Sequence, residues 1–335
     1  MKAIAYTRHG LPIDDPQALV EIDLPVPEPG PRDLRVKVHA VSVNPVDTKV
    51  RRNMATEAPR VLGWDAVGIV DAVGAEVSLF KPGERVWYAG SIARPGSDAE
   101  YHLVDERIVG HAPRSLDDAA AAALPLTAIT AWELLFDRLG VAEGGGEGQT
   151  LLVVGAGGGV GSILVQLARQ LTRLTVVGTA SRPETQDWVR TLGAHHVIDH
   201  REPLTQGLKR LGIEQVPLVV GVTHTDVHYP QIVEALAPQG RFALIDDPAG
   251  LDVLLLKRKS ISLHWELMFT RPLFGTEDMI AQHQLLERVA SLVDAGTLRT
   301  TLGEHYGKIS AENLRRAHAL IESGRARGKI VLEGF

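Results

Sequence analysis

The stretch Leu151-Leu152-Val153-Val154-Gly155-Ala156-Gly157-Gly158-Gly159-Val160-Gly161-Ser162 decides the fold. Four apolar residues lead into a cluster of glycines. Val160, Ile163, Leu164, Leu167, Ala168 and Leu171 then recur at helical spacing and form one apolar stripe. The reading is a strand, a tight turn and an amphipathic helix. Strict GxGxxG is not met, because Val160 stands where the last glycine would be. The spacing that fits is GxxGxxG, through Gly155, Gly158 and Gly161. Glycines let the backbone turn sharply and approach a pyrophosphate, whose charge meets the free N–H groups of a helix N-terminus. Gly155, Gly158, Gly159, Val160 and Gly161 are therefore candidate cofactor-binding residues; a glycine turn without ligand is the alternative. Residues 151–168 carry no charge and approach the length of a membrane span. Three consecutive glycines near the start would break such a helix, so no span is expected.

Working outward, short apolar runs alternate with helical patterns. Strands are predicted at 151–154, 174–177, 196–198, 218–222, 241–245 and 260–264. Six strands alternating with helices imply an α/β fold with a doubly wound parallel sheet of the Rossmann type. The second strand bears on the choice of dinucleotide. NAD sites usually place Asp or Glu about 20 residues beyond the glycines, on the ribose 2′-OH. Here the strand ends Val177-Gly178-Thr179-Ala180-Ser181-Arg182, without a carboxylate. A hydroxyl and a guanidinium suit a 2′-phosphate, so Ser181 and Arg182 point to NADPH. The plainer reading is that Ser181 caps a helix beginning near Pro183 and Arg182 is solvated. His200, ending the third strand, either approaches the adenosine half of the cofactor or lies on the surface.

The first 120 residues are different in kind. Short β-rich segments at 34–43, 66–73 and 84–88 are punctuated by turn signals such as Pro25-Val26-Pro27-Glu28-Pro29-Gly30 and Lys81-Pro82-Gly83-Glu84. A mostly antiparallel β domain is expected there. Residues 143–148, although glycine-rich, precede the first strand of the parallel sheet and read as a surface loop after a helix near 131–139. Helices are predicted near 277–295 and 311–323. The final apolar run 329–332 is expected to return to the β domain. The expected domains are 1–124 with 266–335, and 125–265.

Composition narrows function. A chain of 335 residues with 44% hydrophobic and 23% charged residues is that of an ordinary globular protein. The net charge of −6 gives no broad basic field, so no nucleic-acid partner is expected. No apolar leader follows Met1, and a cytoplasmic protein without membrane association is expected. The chain has no cysteine, which excludes disulfides, thiolate nucleophiles and thiolate metal ligands. No HExxH or comparable cluster is present, so no metal is expected.

With these residues in hand, the sequence resembles the medium-chain dehydrogenase/reductase superfamily, in its zinc-independent quinone oxidoreductase branch and its "zinc-type alcohol dehydrogenase-like" subgroup. The landmarks are Ser42-Val43-Asn44-Pro45-Val46-Asp47, Leu62-Gly63-Trp64-Asp65-Ala66-Val67-Gly68, Phe80-Lys81-Pro82-Gly83-Glu84-Arg85-Val86, Leu124-Pro125-Leu126-Thr127, the glycine turn, and Gly328-Lys329-Ile330-Val331-Leu332. The resemblance implies a GroES-like catalytic domain beside the Rossmann domain. Where zinc alcohol dehydrogenases hold their catalytic metal, this sequence carries Asn44, Trp64 and Ala123, none of them a normal zinc ligand.

Without a metal, hydride transfer depends on placing the nicotinamide against an acceptor that is already electrophilic. A quinone or activated enone qualifies. The resemblance puts Asn44 and Thr127 near the nicotinamide, Asn44 as a hydrogen-bond donor to developing oxyanion charge or simply as a turn residue before Pro45. Trp64, Tyr88 and Trp265 are candidate pocket walls or packing residues. Tyr88 is a candidate proton donor, with solvent water as the alternative. Asp65 either orients a neighbour or makes a structural hydrogen bond. The expected activity is NADPH-dependent quinone or enone reduction, with a homodimer as the expected assembly. The rival readings are a zinc-free alcohol dehydrogenase and a non-catalytic NADPH-binding sensor.

Overall fold

Leu34, Val36 and Val38 alternate with more exposed Arg35 and Lys37, and that period of two builds the long strand from which the first sheet grows. The computed structural model describes all 335 residues, which divide into two units, Met1–Ile129 with Phe269–Phe335, and Thr130–Met268. In the first unit β1 (Lys2–Tyr6) pairs antiparallel with β2 (Val20–Asp23) and with β4 (Arg60–Val61). The long strand, β3 (Asp33–Val43), pairs antiparallel with β5 (Ala66–Val73), and β5 with β6 (Arg85–Tyr88). β7 (Tyr101–Asp105) adds to β3, and β8 (Val109–His111) to β6. Gly68 is obligatory at a register shift between β3 and β5, since a Cβ there would lie 2.1 Å from the Lys37 carbonyl oxygen. Three helices, α1 (Pro45–Asn53), α2 (Asp118–Ala122) and α3 (Pro125–Trp132), follow in chain order, and the chain leaves this unit within α3.

The second unit is a six-stranded parallel sheet. Its strands are β9 (Thr150–Val154), β10 (Thr175–Thr179), β11 (His196–Ile198), β12 (Val216–Gly221), β13 (Leu236–Leu244) and β14 (Ser262–Trp265). Their spatial order is β11-β10-β9-β12-β13-β14, so strand order reverses between β9 and β12. The intervening helices are α4 (Gly159–Leu171), α5 (Pro183–Thr191), α6 (Leu204–Lys209), α7 (Thr225–Ala235) and α8 (Leu254–Lys257). Leu152, Val177, Val219, Phe242 and Leu244 from the strands and Tyr229 and Ile232 from α7 share one buried cluster. The glycine-rich loop 143–148 lies within this unit and is tied to the end of α4, where Gly144 N–H donates to the Leu171 carbonyl.

The chain re-enters the first unit through α9 (Thr270–Phe274), α10 (Ala281–Asp294), β15 (Leu302–His305), α11 (Ala311–Glu322) and β16 (Lys329–Glu333). β16 pairs antiparallel with β3, Ile330 opposite Val43, so the last strand does return to the β sheet. α10 starts four residues later than its periodicity predicts, because Thr276 and Asp278 close a hydrogen-bonded turn. One segment, Asp118–Arg138, has the length and hydropathy of a membrane span, but 83% of its most apolar window is buried within the protein, as in a core helix.

Candidate active site

The glycine turn between β9 and α4 combines positions that packing fixes with one that it leaves open. Gly155 has φ of +92°, and a Cβ there would meet Val222 and Thr223 at 2.8 and 2.7 Å. A Cβ on Gly161 would lie 2.5 Å from the Gly155 carbonyl oxygen, so helix and strand meet only because both are glycine. Gly158, the N-cap of α4, has ordinary backbone angles, and its nearest neighbour would be 3.9 Å from a Cβ. Nothing in the fold requires glycine at 158. The N–H groups of Gly159, Val160 and Gly161 open α4 and have no partner within the helix. Thr179, at the end of β10, anchors the turn by accepting from Gly155 N–H at 3.0 Å.

The loops after β10 and β11 complete this edge. Arg182, not Ser181, is the N-cap of α5, because the Arg182 carbonyl accepts the first helical hydrogen bonds from Thr185 and Gln186. The capping alternative for Ser181 is therefore corrected. Arg182 is partly exposed, with Nε 3.6 Å from Glu184. Arg201, which sequence reading missed, donates from Nη2 to the Ser181 carbonyl at 3.0 Å, so a second guanidinium lies beside the same loop. Asp199 is engaged with Arg201 at 2.6 to 3.1 Å. His200 is half-buried, its Nδ1 3.2 Å from Thr179 Oγ1. Gly155, Thr179 and His200 thus form one chain of contacts at the carboxyl ends of the strands. Trp265, at the end of β14, is 54% exposed.

In the first unit the candidate residues gather around Asp65, which is fully buried. Its Oδ1 accepts from Leu126 N–H at 2.7 Å. Its Oδ2 accepts from Asn44 Nδ2 at 2.8 Å, Ser42 Oγ at 3.2 Å and Lys329 Nζ at 2.9 Å. Burial pushes the Asp65 carboxyl above the ordinary range, while the ammonium and the donors pull it back. Lys329 also donates to the Val43 carbonyl and to Asn44 Oδ1. Asp47 accepts the N–H groups of Asn44 and Gly63 at 2.7 and 3.0 Å. Burial raises its carboxyl to about 7, and the neighbouring buried Asp98 is raised as well, by burial and by Asp47.

Three expectations are corrected by this geometry. The Asn44 amide donates to Asp65 and to the Trp64 carbonyl (3.2 Å), which leaves no N–H for an oxyanion. Trp64 is wholly buried, its indole N–H on the Ser91 carbonyl and its ring edge-on to Phe269, so it packs and walls no open pocket. Tyr88 is also wholly buried; its hydroxyl bonds His102 Nδ1 at 3.0 Å, and burial raises its pKa, both contrary to proton donation to a substrate. Thr127 donates to the Leu124 carbonyl at 3.0 Å and keeps its oxygen lone pairs. The Asp65–Leu126 bond fixes the start of its helix.

Comparison with known proteins places this geometry. A family model described as "Zinc-binding dehydrogenase" matches residues 192–332, and one described as "Alcohol dehydrogenase GroES-like domain" matches residues 30–114. A "zinc-type alcohol dehydrogenase-like protein" of Staphylococcus aureus is 42% identical over 91% of this chain and 92% of its own length. A quinone oxidoreductase of Lama guanicoe is 30% identical over 99% of this chain and 97% of its own. The chain belongs to the medium-chain dehydrogenase/reductase superfamily. Its two units have the GroES-like and Rossmann folds of that superfamily. A crystal structure of a putative zinc-dependent alcohol dehydrogenase from Rhizobium etli superposes with a TM-score of 0.97 at 58% identity, covering 100% of this chain and 98% of that one.

The zinc in those names does not fit the residues of this superfamily member. Asn44 Oδ1 is taken by the Lys329 ammonium, the Trp64 indole nitrogen has no lone pair to give, and Ala123 has no donor side chain while its carbonyl accepts from Thr301. No group of three or more His, Asp or Glu side chains is arranged to hold a metal ion. At the dinucleotide edge the opposite holds. A steric opening at Gly158, unbonded helix N–H groups and two nearby guanidiniums suit a phosphorylated dinucleotide.

Proposed function

We propose that this superfamily member is a cytoplasmic NADPH-dependent reductase of quinones or activated enones, working without metal and as a homodimer. The observation that carries the reading is the end of β10, where Arg182 and Arg201 flank Ser181, and the carboxylates nearby are engaged by them, Asp199 with Arg201 and Glu184 with Arg182. A free carboxylate there would favour the 2′-OH of NADH and repel a 2′-phosphate; guanidiniums do the reverse. The quinone oxidoreductase relative and an NADPH-complexed quinone oxidoreductase of Escherichia coli with the same fold (TM-score 0.84, 23% identity) support it.

Bound NADPH supplies the hydride. The helix N–H groups of residues 159–161 would hold the pyrophosphate, and Arg182 and Ser181 the 2′-phosphate. Neither Asn44 nor Tyr88 offers an accessible proton or free donor, so reduction depends on an acceptor that is electrophilic by itself, and solvent supplies the proton. Quinones meet that demand; oxidation of a simple alcohol, which needs strong alkoxide stabilisation, does not.

Steady-state NADPH and NADH oxidation with an ortho-quinone, an enone and an aldehyde, before and after strong chelation, tests this. Expected are NADPH turnover with the quinone or enone, indifference to chelation, and slow oxidation of ethanol or benzyl alcohol. Robust alcohol oxidation with inert quinones would support the alcohol dehydrogenase instead, and tight NADPH binding with no turnover on the panel would support a sensor.

A further inference from the structure

The three positions at which zinc alcohol dehydrogenases hold their metal are joined in this chain through one residue, Lys329. Its ammonium has three protons and three oxygen partners: the Val43 carbonyl at 3.1 Å, Asp65 Oδ2 at 2.9 Å and Asn44 Oδ1. Position 44 is therefore bound directly. Position 64 follows through Asn44, whose Nδ2 donates to the Trp64 carbonyl at 3.2 Å. Position 123 is reached from the backbone of Lys329. Its N–H donates to the Thr301 carbonyl at 2.9 Å, and Thr301 Oγ1 donates to the Ala123 carbonyl at 2.9 Å. The side chains of Lys329 and Asp65 are 3% and 0% exposed, so no dissolved cation screens the pair. A carboxylate buried this deeply needs a counter-charge at hydrogen-bonding distance. The cage is one carboxylate oxygen and two carbonyl oxygens. It offers an ammonium the acceptors that it needs, and it lacks the nitrogen and sulfur donors that zinc prefers.

We propose that the Lys329 ammonium is the resident cation of this centre, tying positions 44, 64 and 123 together in place of a metal ion and positioning the start of α3 through Asp65. Asp65 is the relay. While Oδ2 is held by the ammonium, Oδ1 accepts from the Leu126 N–H at 2.7 Å. That N–H lies in the first turn of α3, where no helical carbonyl can accept it, and the next residue is Thr127. Lys329 is thus a positioning residue: it touches no reacting group and acts by orienting a carboxylate that orients a helix. A metal centre takes its charge from solution, whereas this one carries its charge on the last strand, β16, which pairs with β3 beside Asn44. The assignment goes beyond metal-free reduction, because it names the group that makes a metal dispensable here. It is also independent of which dinucleotide binds.

Lys329→Ala removes the ammonium and leaves its oxygen cage with room for a small cation. Ammonium chloride should refill that cage. At about ten times its dissociation constant, the ion should raise the folding constant of Lys329→Ala about tenfold, read by urea unfolding. Tetramethylammonium chloride at the same ionic strength brings charge but no N–H, and should not. The Leu126 amide, followed by NMR, should exchange at least about tenfold faster in Lys329→Ala, as for the loss of a hydrogen bond to a charged group, and should slow again with ammonium alone. In Lys329→Ala/Asp65→Asn, which lacks the carboxylate, the rescue should vanish. A lysine that only packed would give no rescue specific to one cation. Equal rescue by both cations, no rescue by either, rescue that survives Asp65→Asn, or an unchanged Leu126 amide overturns the proposal. If Lys329→Ala does not fold, the wild-type protein carries the test. Its Lys329 Nζ protons should give a slowly exchanging ammonium signal at neutral pH that neither a strong chelator nor added zinc moves. A signal lost to rapid exchange with water, or one displaced by zinc, overturns the proposal.

Discussion

The polar centre around Asp65 and the glycine edge around Gly155 are both dense in hydrogen-bonding groups, but one is saturated and the other is not. Around Asp65 each carboxylate oxygen, both ends of the Asn44 amide and the Lys329 ammonium are matched within the protein. At the glycine edge the first N–H groups of α4, the nitrogen of His228 and the open face of Gly158 have no such match. A saturated buried network fixes chain segments relative to one another; an unsaturated rim is where a ligand gains by binding. Chemistry-bearing residue types at Asn44, Asp65 and Tyr88 are therefore committed to the protein's own contacts, whereas the rim presents backbone N–H and guanidinium groups.

The largest effect that would break this contrast comes from the saturated centre. Lys329→Met strands the Asp65 carboxylate and should cost about 3–5 kcal/mol of stability, measured by urea unfolding. Adding Asp65→Asn, which keeps an acceptor for Leu126 N–H, should recover at least about 1 kcal/mol through coupling of the two sites. A loss below about 1 kcal/mol for Lys329→Met would mean the centre is not held by charge.

At the rim the effect should fall on ligand rather than fold. Arg182→Ala should weaken NADPH by about 10- to 150-fold, the equivalent of roughly 1.5–3 kcal/mol for hydrogen bonds to a charged group, and leave NADH nearly unchanged. Equal weakening of both cofactors in a calorimetric titration would assign Arg182 to the fold or the pyrophosphate. Gly158→Ala sharpens the point, because the structure has room for its methyl. Its thermal unfolding should lose less than about 1 kcal/mol, as expected for Gly to Ala at an N-cap. NADPH affinity should nonetheless drop about tenfold as the methyl meets the pyrophosphate, again about 1.4 kcal/mol. A variant that binds normally would show that the dinucleotide does not approach there.

The remaining expected effect is read as a slope against pH and concerns acid. His318 in α11 is wholly buried with neither ring nitrogen bonded, and burial, with Arg51 nearby, lowers it to about 3; burial lowers His102 to about 4. Both folded-state values lie below the unfolded value near 6.5, so the native state binds fewer protons and stability falls as pH falls. Their contribution is complete above pH 6.5 and is lost progressively down to about pH 4 for His102 and about pH 3 for His318. His318→Leu should flatten the stability-versus-pH slope between pH 6 and 4 by up to about 1.4 kcal/mol per pH unit. An unchanged slope would show that His318 reaches solvent.

What could be read without coordinates was local. The β9–α4 turn followed from a strand, glycines and a stripe of apolar residues within about twenty positions, and the final strand from the apolar run at 329–332. Pairing across the sheet was not legible. Arg201 reaches Ser181 across 20 residues because β10 and β11 run parallel, and no motif announces that meeting. Lys329 stands in the sequence only within a terminal landmark, 264 residues from Asp65 and 285 from Asn44. Tyr88 and Trp64 were misjudged because an aromatic side chain looks the same in sequence whether it faces a pocket or a core.

The sequence by itself determined the strand–turn–helix glycine motif, the absence of a thiolate or imidazole at 44, 64 and 123, and the missing carboxylate at the end of β10. These depend on residue type and short-range period, which the chain carries along its length. Only the tertiary structure decided which polar groups were already spent, that Asn44 was closed off by Lys329 and Asp65, and that His228 was left unpartnered beside His200. Hydrogen-bond saturation and burial depend on segments far apart in the chain, so no local pattern encodes them.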